Sequence, residues 1–461
     1  MSCARAFIRA GAVAFALSAS PVVTAQVDPH TYTITNVSQA VPGMTVGWGG
    51  LSDTGFAAGW VVIAEPPYPM SSFRWSPAGT VVPDPPAGLE WLCHAGFDVN
   101  DSGTFVGTFG TQSPNMLDRG FRSRAGVTEE LLTPSGLYAY PSAINDEGWI
   151  VGYGMGPVGV PGAVMWSPDL VPSYVANLTQ AIDINDRNQV VGIFYDQFDV
   201  TTAFLVENGE AVRLGTLDPA KVGSVLPWAI NNWGTVVGYS VIGPARHAFR
   251  WTEESGMTEL PGLGYDVFPF DVAAVDINDH GWIVGYAPNA TGQTPVIWSP
   301  DGTVTELGTI VPEIGIEKNW PLLAHVMKIN AAGQILALAS HKPSNHHART
   351  VLLTPAALRA EPQPDAGGSV LEVTGAVPGR PVYLVAAAED PFDTGYTPIP
   401  GGEPIGVCMD DPLPIAAALA DGSGRALFRW QLPPALAAGA VRLQALQLKP
   451  CLVSNVVHVA P

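Results

Sequence analysis

The chain has 461 residues, of which only 13 % are charged, with 50 Gly and 43 Pro. That mixture suits short strands joined by tight turns, and argues against a helical or a disordered protein. With 21 Lys and Arg against 41 Asp and Glu, the formal net charge is −20, which speaks against nucleic acid and anionic lipid as partners because both need clustered cations.

Residues 1–25 read as a signal peptide. Arg5 and Arg9 form a basic start, Gly11–Ser18 an apolar stretch, and Val23-Thr24-Ala25 a small-residue cleavage site. The apolar stretch is too short to span a bilayer, and no later run reaches about 18 uninterrupted apolar residues. A secreted, extracellular or outer-surface protein with no membrane span is expected. Three cysteines then remain, Cys93, Cys408 and Cys451. In an oxidising compartment Cys408 and Cys451 are expected to pair, closing a loop whose chain-entropy contribution is about 4 kcal/mol. Cys93 is expected to be a buried thiol.

From residue 31 to 355 a repeat dominates. Ile-Asn-x-x-Gly-x-x-Val-Gly returns every ~46 residues, a spacing that marks an array of units burying their faces against one another. The clearest copies are Ile144–Gly152, Ile184–Gly192 (with Asn188 for the turn Gly), Ile230–Gly238 and Ile277–Gly285; Leu51–Gly59, Val99–Gly107 and Ile329–Ala337 are looser. Each unit reads as four strands. The first ends at Ile-Asn, and the second is the Val-Gly run. The third holds a triplet such as Phe73-Arg-Trp75 or Phe249-Arg-Trp251, and the fourth follows a Gly turn, as at Gly209–Leu217, Gly256–Leu263 and Gly302–Ile310. The fourth run is missing after Val351–Pro355, while an extra strand, Thr31–Val37, stands ahead of the first unit. The expected fold is therefore all-β, a seven-bladed β-propeller. Its N-terminal strand either completes the last blade, the preferred phase, or shifts every blade boundary by one strand. An open β-solenoid is the main rival.

The unit Ile230–Ser240, followed by His247-Ala-Phe-Arg-Trp251 and Gly256–Leu263, resembles the HAF repeat of secreted bacterial proteins, over roughly residues 31–355. The resemblance implies an extracellular propeller-like fold and brings no catalytic residues with it. Residues 356–368 read as a Pro/Gly linker. Residues 369–461 carry runs at Val370–Val373, Val382–Val385, Ala426–Trp430, Val441–Gln447 and Val456–Val459, and resemble the small C-terminal β-sandwich modules of secreted bacterial proteins.

Several constellations invite chemistry. Asp98–Gly103 and Asp276–Gly281 look like the opening of a calcium loop, but Phe109 and Ala287 stand where the bidentate acid belongs, and Ala143, Ala229 and Lys328 replace the first Asp in other units. A hairpin using Asn and Gly at positive φ accounts for these turns better. Asp53, Asp101, Asp146, Asp186 and Asp279 are expected to share one rim as a solvated polar ring. Trp149, Trp233 and Trp282 flank the turns and are the candidate ligand-binding residues, whereas Trp75, Trp166, Trp251 and Trp298 are expected to pack between blades. His325, His341, His346 and His347 cluster without the spacing of a metal site. No nucleophile elbow, zinc helix, P-loop or dinucleotide fingerprint is present, so no catalytic residue can be named and no metal or cofactor is expected.

The functional expectation is a secreted, non-catalytic binding or scaffolding protein recognising polysaccharide or a protein partner. The alternative is a secreted glycan-active hydrolase or lyase with its site in the propeller channel, where paired acids would act. Buried acids with displaced pKa values in the channel would favour the enzyme.

Overall fold

The structure, a computed structural model, describes residues 32–37, 45–46, 49–62, 70–76, 79–81, 93–110, 119–156, 159–195, 200–219, 224–265, 271–311, 322–340 and 349–355 of the repeat region, and beyond it the strands between Arg359 and Val459. The expected signal peptide and Cys408 lie outside the described residues, as do His341, His346 and His347.

The repeat region folds as a β-propeller. Six four-stranded antiparallel sheets are each continuous in sequence, spanning residues 45–81, 93–131, 139–174, 180–213, 225–259 and 273–306; they are named here the first to the sixth. A further four-stranded sheet is composite. Leu322–Ile329, Ile335–Ser340 and Arg349–Pro355 supply three strands, and Tyr32–Asn36 pairs antiparallel with Arg349–Pro355 to supply the fourth. The N-terminal strand thus completes the last sheet, the preferred phase. Tyr32 is buried there among Val351, Leu353 and Ile335. The third-strand triplets fall inside third strands, as in Pro161–Trp166 and Ala245–Thr252. One fourth run departs from expectation: Gly302–Ile310 is a three-residue strand, Val304–Glu306, followed by a single helical turn, Leu307–Ile310.

Sheets pack face to face through small and branched side chains. Between the fifth and sixth, Ala229, Val237 and Ala248 meet Ala274, Ile283, Val296 and Trp298. Trp75, Trp166, Trp251 and Trp298 are all buried, as packing residues should be, and the Trp298 indole N–H also donates to Pro261 O at 2.7 Å.

The repeat phrase acquires a physical meaning at its fixed positions. The Ile enters the core, for instance Ile230 and Ile277. The Gly after Asn-x-x takes positive φ, +86° at Gly148 and +80° at Gly234, a conformation that side chains disfavour. The Gly of Val-Gly stands where the first strand crosses closest. A Cβ on Gly152 would lie 2.0 Å from Tyr140 O, and one on Gly238 2.1 Å from Leu226 O. Ala337 holds this place in the composite sheet, whose first strand has a second register shift.

The Asn does more than make a turn, and it does not use positive φ. Asn231 Oδ1 accepts the N–H groups of Trp233 and Thr235 at 3.1 and 3.0 Å, while its Nδ2 donates to Asn278 O of the next sheet at 3.1 Å. The same donation runs from Asn100 to Asn145, Asn145 to Asn185, Asn185 to Asn231, Asn278 to Asn330, and Asn330 to Ser52. Where Ser52 stands in place of Asn, Thr54 Oγ1 donates to Asp101 O instead.

Beyond the propeller, Arg359–Pro362, Val370–Thr374 and Ala426–Arg429 form a three-stranded sheet. Pro381–Ala388 and Val441–Leu448 are central to a second sheet with Leu413–Leu419, Cys451–Val453 and Val457–Val459. This corrects one boundary and adds one strand. Residues 359–362, assigned above to a linker, form an edge strand, a position that tolerates Pro362 because edge N–H groups need no partner. Leu413–Leu419 is a strand despite its alanines, which have little strand preference of their own. Among the described residues no helix is long and apolar enough to cross a membrane.

Asn231→Ala removes two turn bonds and one inter-sheet bond from a buried amide. A loss of about 2 kcal/mol in denaturant unfolding is expected, and a variant as stable as the parent would refute the clasp.

Candidate functional site

From residue 93 onward the strand that leads into each repeat phrase lines the central channel, and each of these six carries a register shift at the same place. The shifts fall between Gly96 and Asp98, Pro141 and Ala143, Ala181 and Asp183, Pro227 and Ala229, Ala274 and Asp276, and Val326 and Lys328. A β-bulge re-aims a side chain, and here it turns the skipped residue to the channel together with the following residue wherever that residue is charged. The skipped residues, Phe97, Ser142, Ile182, Trp228, Val275 and Met327, line a wide cavity of about 1180 Å³ at one end. The residues that follow are Asp98, Ala143, Asp183, Ala229, Asp276 and Lys328, of which the charged ones form a lower ring. That ring lines a narrow opening of about 150 Å³ at the turn end. Of these four, Asp183 and Lys328 line both spaces and so form the floor of the wide cavity.

The three aspartates are buried, at 6–9 % exposure. Each accepts a backbone N–H from the next sheet: Asp98 from Ile144 at 2.9 Å, Asp183 from Ile230 at 2.9 Å, and Asp276 from Ile329 at 2.6 Å. Lys328 Nζ lies 3.5 Å from Asp276 Oδ1. Burial pushes the Asp98 and Asp276 carboxyls up to about 6, with Lys328 and the backbone bonds pulling part of the way back and Asp183 adding repulsion. Asp183 is raised by burial as well. Burial alone would lower Lys328, but attraction from Asp276, Asp183 and Asp98 outweighs it and holds the ammonium above its ordinary value. The floor therefore combines a permanent cation with a carboxyl that keeps its proton to higher pH than usual, a pairing suited to proton transfer.

Above the floor the walls differ. Tyr140 and Tyr153 stack with centroids 5.1 Å apart, and Trp228 is 44 % exposed. Tyr286 receives the backbone N–H of Val326 and donates to its carbonyl, and His325 meets its ring edge-on at 5.8 Å. Burial lowers His325, which favours the neutral imidazole.

The acidic rim is solvent-facing as expected, with Asp53 and Asp146 exposed and Asp101, Asp186 and Asp279 half-buried, but it is more than a solvated ring. Its side chains clasp neighbouring turns. Asp101 Oδ1 accepts Thr54 N, Asp146 accepts Asp101 N, Asp186 accepts Asp146 N, Asp279 accepts Asn232 N, and Asp53 accepts Ala331 N, at 2.6–2.9 Å. Burial, followed by the neighbouring acids, raises Asp53, and raises Asp146 to about 6. Trp149, Trp233 and Trp282 stand at this turn end, away from the wide cavity. Trp149 and Trp282 are half-buried against inter-sheet clusters, and Trp233 is 73 % exposed with its indole N–H donated to Asp279 O at 2.8 Å. Asp98 and Asp276, read in the sequence as hairpin residues, in fact face the channel. Among the described residues no three His, Cys, Asp or Glu are grouped to hold a metal. Asp183, Lys328 and the aromatic wall had gone unassigned, and their one signal in the sequence was the alternation Asp, Ala, Asp, Ala, Asp, Lys before successive Ile-Asn or Val-Asn pairs.

No family model matches the chain, and no curated protein does. Among solved structures it is similar to the β-propeller domain of the Trilobed protease from Pyrococcus furiosus (10 % identity, TM-score 0.45, covering 68 % of this chain and 93 % of that one). It is similar also to a Mycobacterium tuberculosis puromycin-hydrolyzing peptidase (9 %, TM-score 0.42, 75 % and 60 %) and to the Pyrococcus horikoshii acylaminoacyl peptidase (10 %, TM-score 0.40, 72 % and 58 %). The chain thus spans less than two thirds of the latter two, and identities this low reflect fold alone. The expectation of a non-catalytic binding or scaffolding protein is corrected in favour of its hydrolase alternative on the channel's own geometry: buried carboxyls raised by desolvation, the feature expected of the enzyme, line its narrow end.

Because Asp98 and Asp276 bind protons more tightly folded than unfolded, the folded state takes up protons first as pH falls through about 6. Stability should rise from pH 7.5 to pH 5 and level off near the ordinary carboxylate value of about 4. Asp276→Asn should flatten that slope and Lys328→Met should steepen it; urea unfolding at several pH values decides, and a slope unchanged in both variants would overturn the assignment.

Proposed function

We propose that the chain is a hydrolase whose site is the wide channel cavity, with Asp183 the proton-transferring group and Lys328 the cation that stabilises developing negative charge. The observation that carries this reading is that these two groups, alone of the buried charge cluster, reach both the cavity and the opening beneath it. A carboxyl raised toward neutrality suits general acid–base work, and a fixed ammonium in a water-poor pocket suits electrostatic stabilisation. The aromatic wall supplies apolar faces on which a ring-bearing substrate, such as a glycan, would lie. We further propose that the sheets are the blades of a seven-bladed ring, the composite sheet being the last, and that the C-terminal sheets pack as a β-sandwich. Secretion and membership of the HAF-repeat group, suggested by residues 1–25 and by Ile230–Leu263, belong to the same proposal.

The test is a screen of p-nitrophenyl glycosides and aminoacyl p-nitroanilides with the purified protein, followed by Asp183→Asn and Lys328→Met on any hit. Each variant should lower kcat by about 100-fold or more while circular dichroism stays unchanged, and Trp149→Ala should leave kcat alone. Turnover that survives both channel variants would place the site elsewhere.

A further inference from the structure

We propose that the wide cavity receives an organic ammonium ion, a protonated amine carried on a flat apolar body. This rests on the hydrolase reading only for calling that ion the substrate, since binding is measurable without turnover.

The cavity is two-faced. The third and fifth sheets present the stacked Tyr140–Tyr153 pair and the exposed Trp228 indole, a wall that attracts flat apolar groups and, through ring quadrupoles, cations. The sixth sheet presents Glu306. Its Oε1 accepts Asn289 Nδ2 at 2.9 Å and Thr294 Oγ1 at 3.0 Å. Both donors are neutral, so they fix the carboxylate in place without cancelling its charge. Among the described residues no Lys, Arg or His forms an ion pair with Glu306, whereas Asp271 has Arg246 at 3.7 Å and Asp276 has Lys328.

The same cavity already holds one cation by this chemistry. The Arg246 guanidinium lies 4.7 Å over the Tyr239 ring, with Asp271 beside it. Trp228, Tyr140 and Glu306 line the same cavity and offer the same two kinds of group, aromatic face and carboxylate, with the cation left to be supplied by a ligand. A neutral ligand of the same shape would satisfy the wall and leave Glu306 uncompensated in a partly desolvated pocket, which costs affinity.

The experiment is isothermal titration of the full chain with phenethylammonium chloride and, in parallel, with 2-phenylethanol, its neutral counterpart. The amine should bind about tenfold tighter. Glu306→Gln, which can still accept from Asn289 and Thr294, should reduce the amine to the level of the alcohol, and Trp228→Ala should weaken both compounds. Melting curves confirm that the variants are folded, and the comparison of the two compounds on the parent protein stands without any variant. Equal affinities, no binding of either compound, or a preference that survives in Glu306→Gln would each overturn the proposal. Discrimination between the compounds with no turnover of any substrate would instead sink the hydrolase reading and leave this one standing.

Discussion

All but one of the seams between neighbouring sheets turn on a single side-chain amide. An Asn at the end of a first strand satisfies two N–H groups of its own turn with one oxygen, and spends its nitrogen on a carbonyl across the seam. The arrangement welds local to non-local structure, because the turn cannot open without freeing the seam. It is also directional, each sheet donating to the next, and the last of the series, Asn330, donates back to Ser52. With Thr54 donating to Asp101 O at the remaining seam, the donations run in a closed circuit around the array. Its cohesion comes from buried amides and packed aliphatic faces, and an exposed ion pair such as Arg187–Glu207 at 3.9 Å adds little.

The charged floor grows out of the same geometry. The bulge just before each Ile-Asn pair (Val-Asn in the second sheet) turns the skipped residue, and a charged residue after it, toward the channel, and the lower position is the one whose carboxylate can cap the next sheet's N–H. Asp98, Asp183 and Asp276 thus fasten seams while buried, and Asp183 stands close enough to raise the other two. Lys328 tempers that repulsion from the neighbouring composite sheet. Structural and chemical duties coincide in these side chains, so removing one disturbs both unless an isostere keeps the bond.

The phrase Ile-Asn-x-x-Gly-x-x-Val-Gly made the fold legible because its Asn and Gly answer backbone demands while its Ile and Val fill the core. The C-terminal region was less legible, since an alanine-rich strand such as Leu413–Leu419 has no periodic contrast to read. The site was hardly legible at all. Alternation of Asp with Ala reads as ordinary variation until a bulge shows that the Asp positions face the channel. Tyr140, Trp228 and Glu306 belong to different sheets, and their convergence depends on closure of the ring. The turn-flanking tryptophans drew attention for their size, yet Trp149 and Trp282 spend it on packing.

The composite sheet sets an order of events during synthesis. Tyr32–Asn36 leaves the ribosome before every other described strand, but its partner, Arg349–Pro355, is made some three hundred residues later. Until then the earliest strand has no edge to join, while the continuous sheets can each pair internally as they emerge. Ring closure therefore follows translation of nearly the whole propeller, and the N-terminal segment is held in waiting as the final latch of a structure it began.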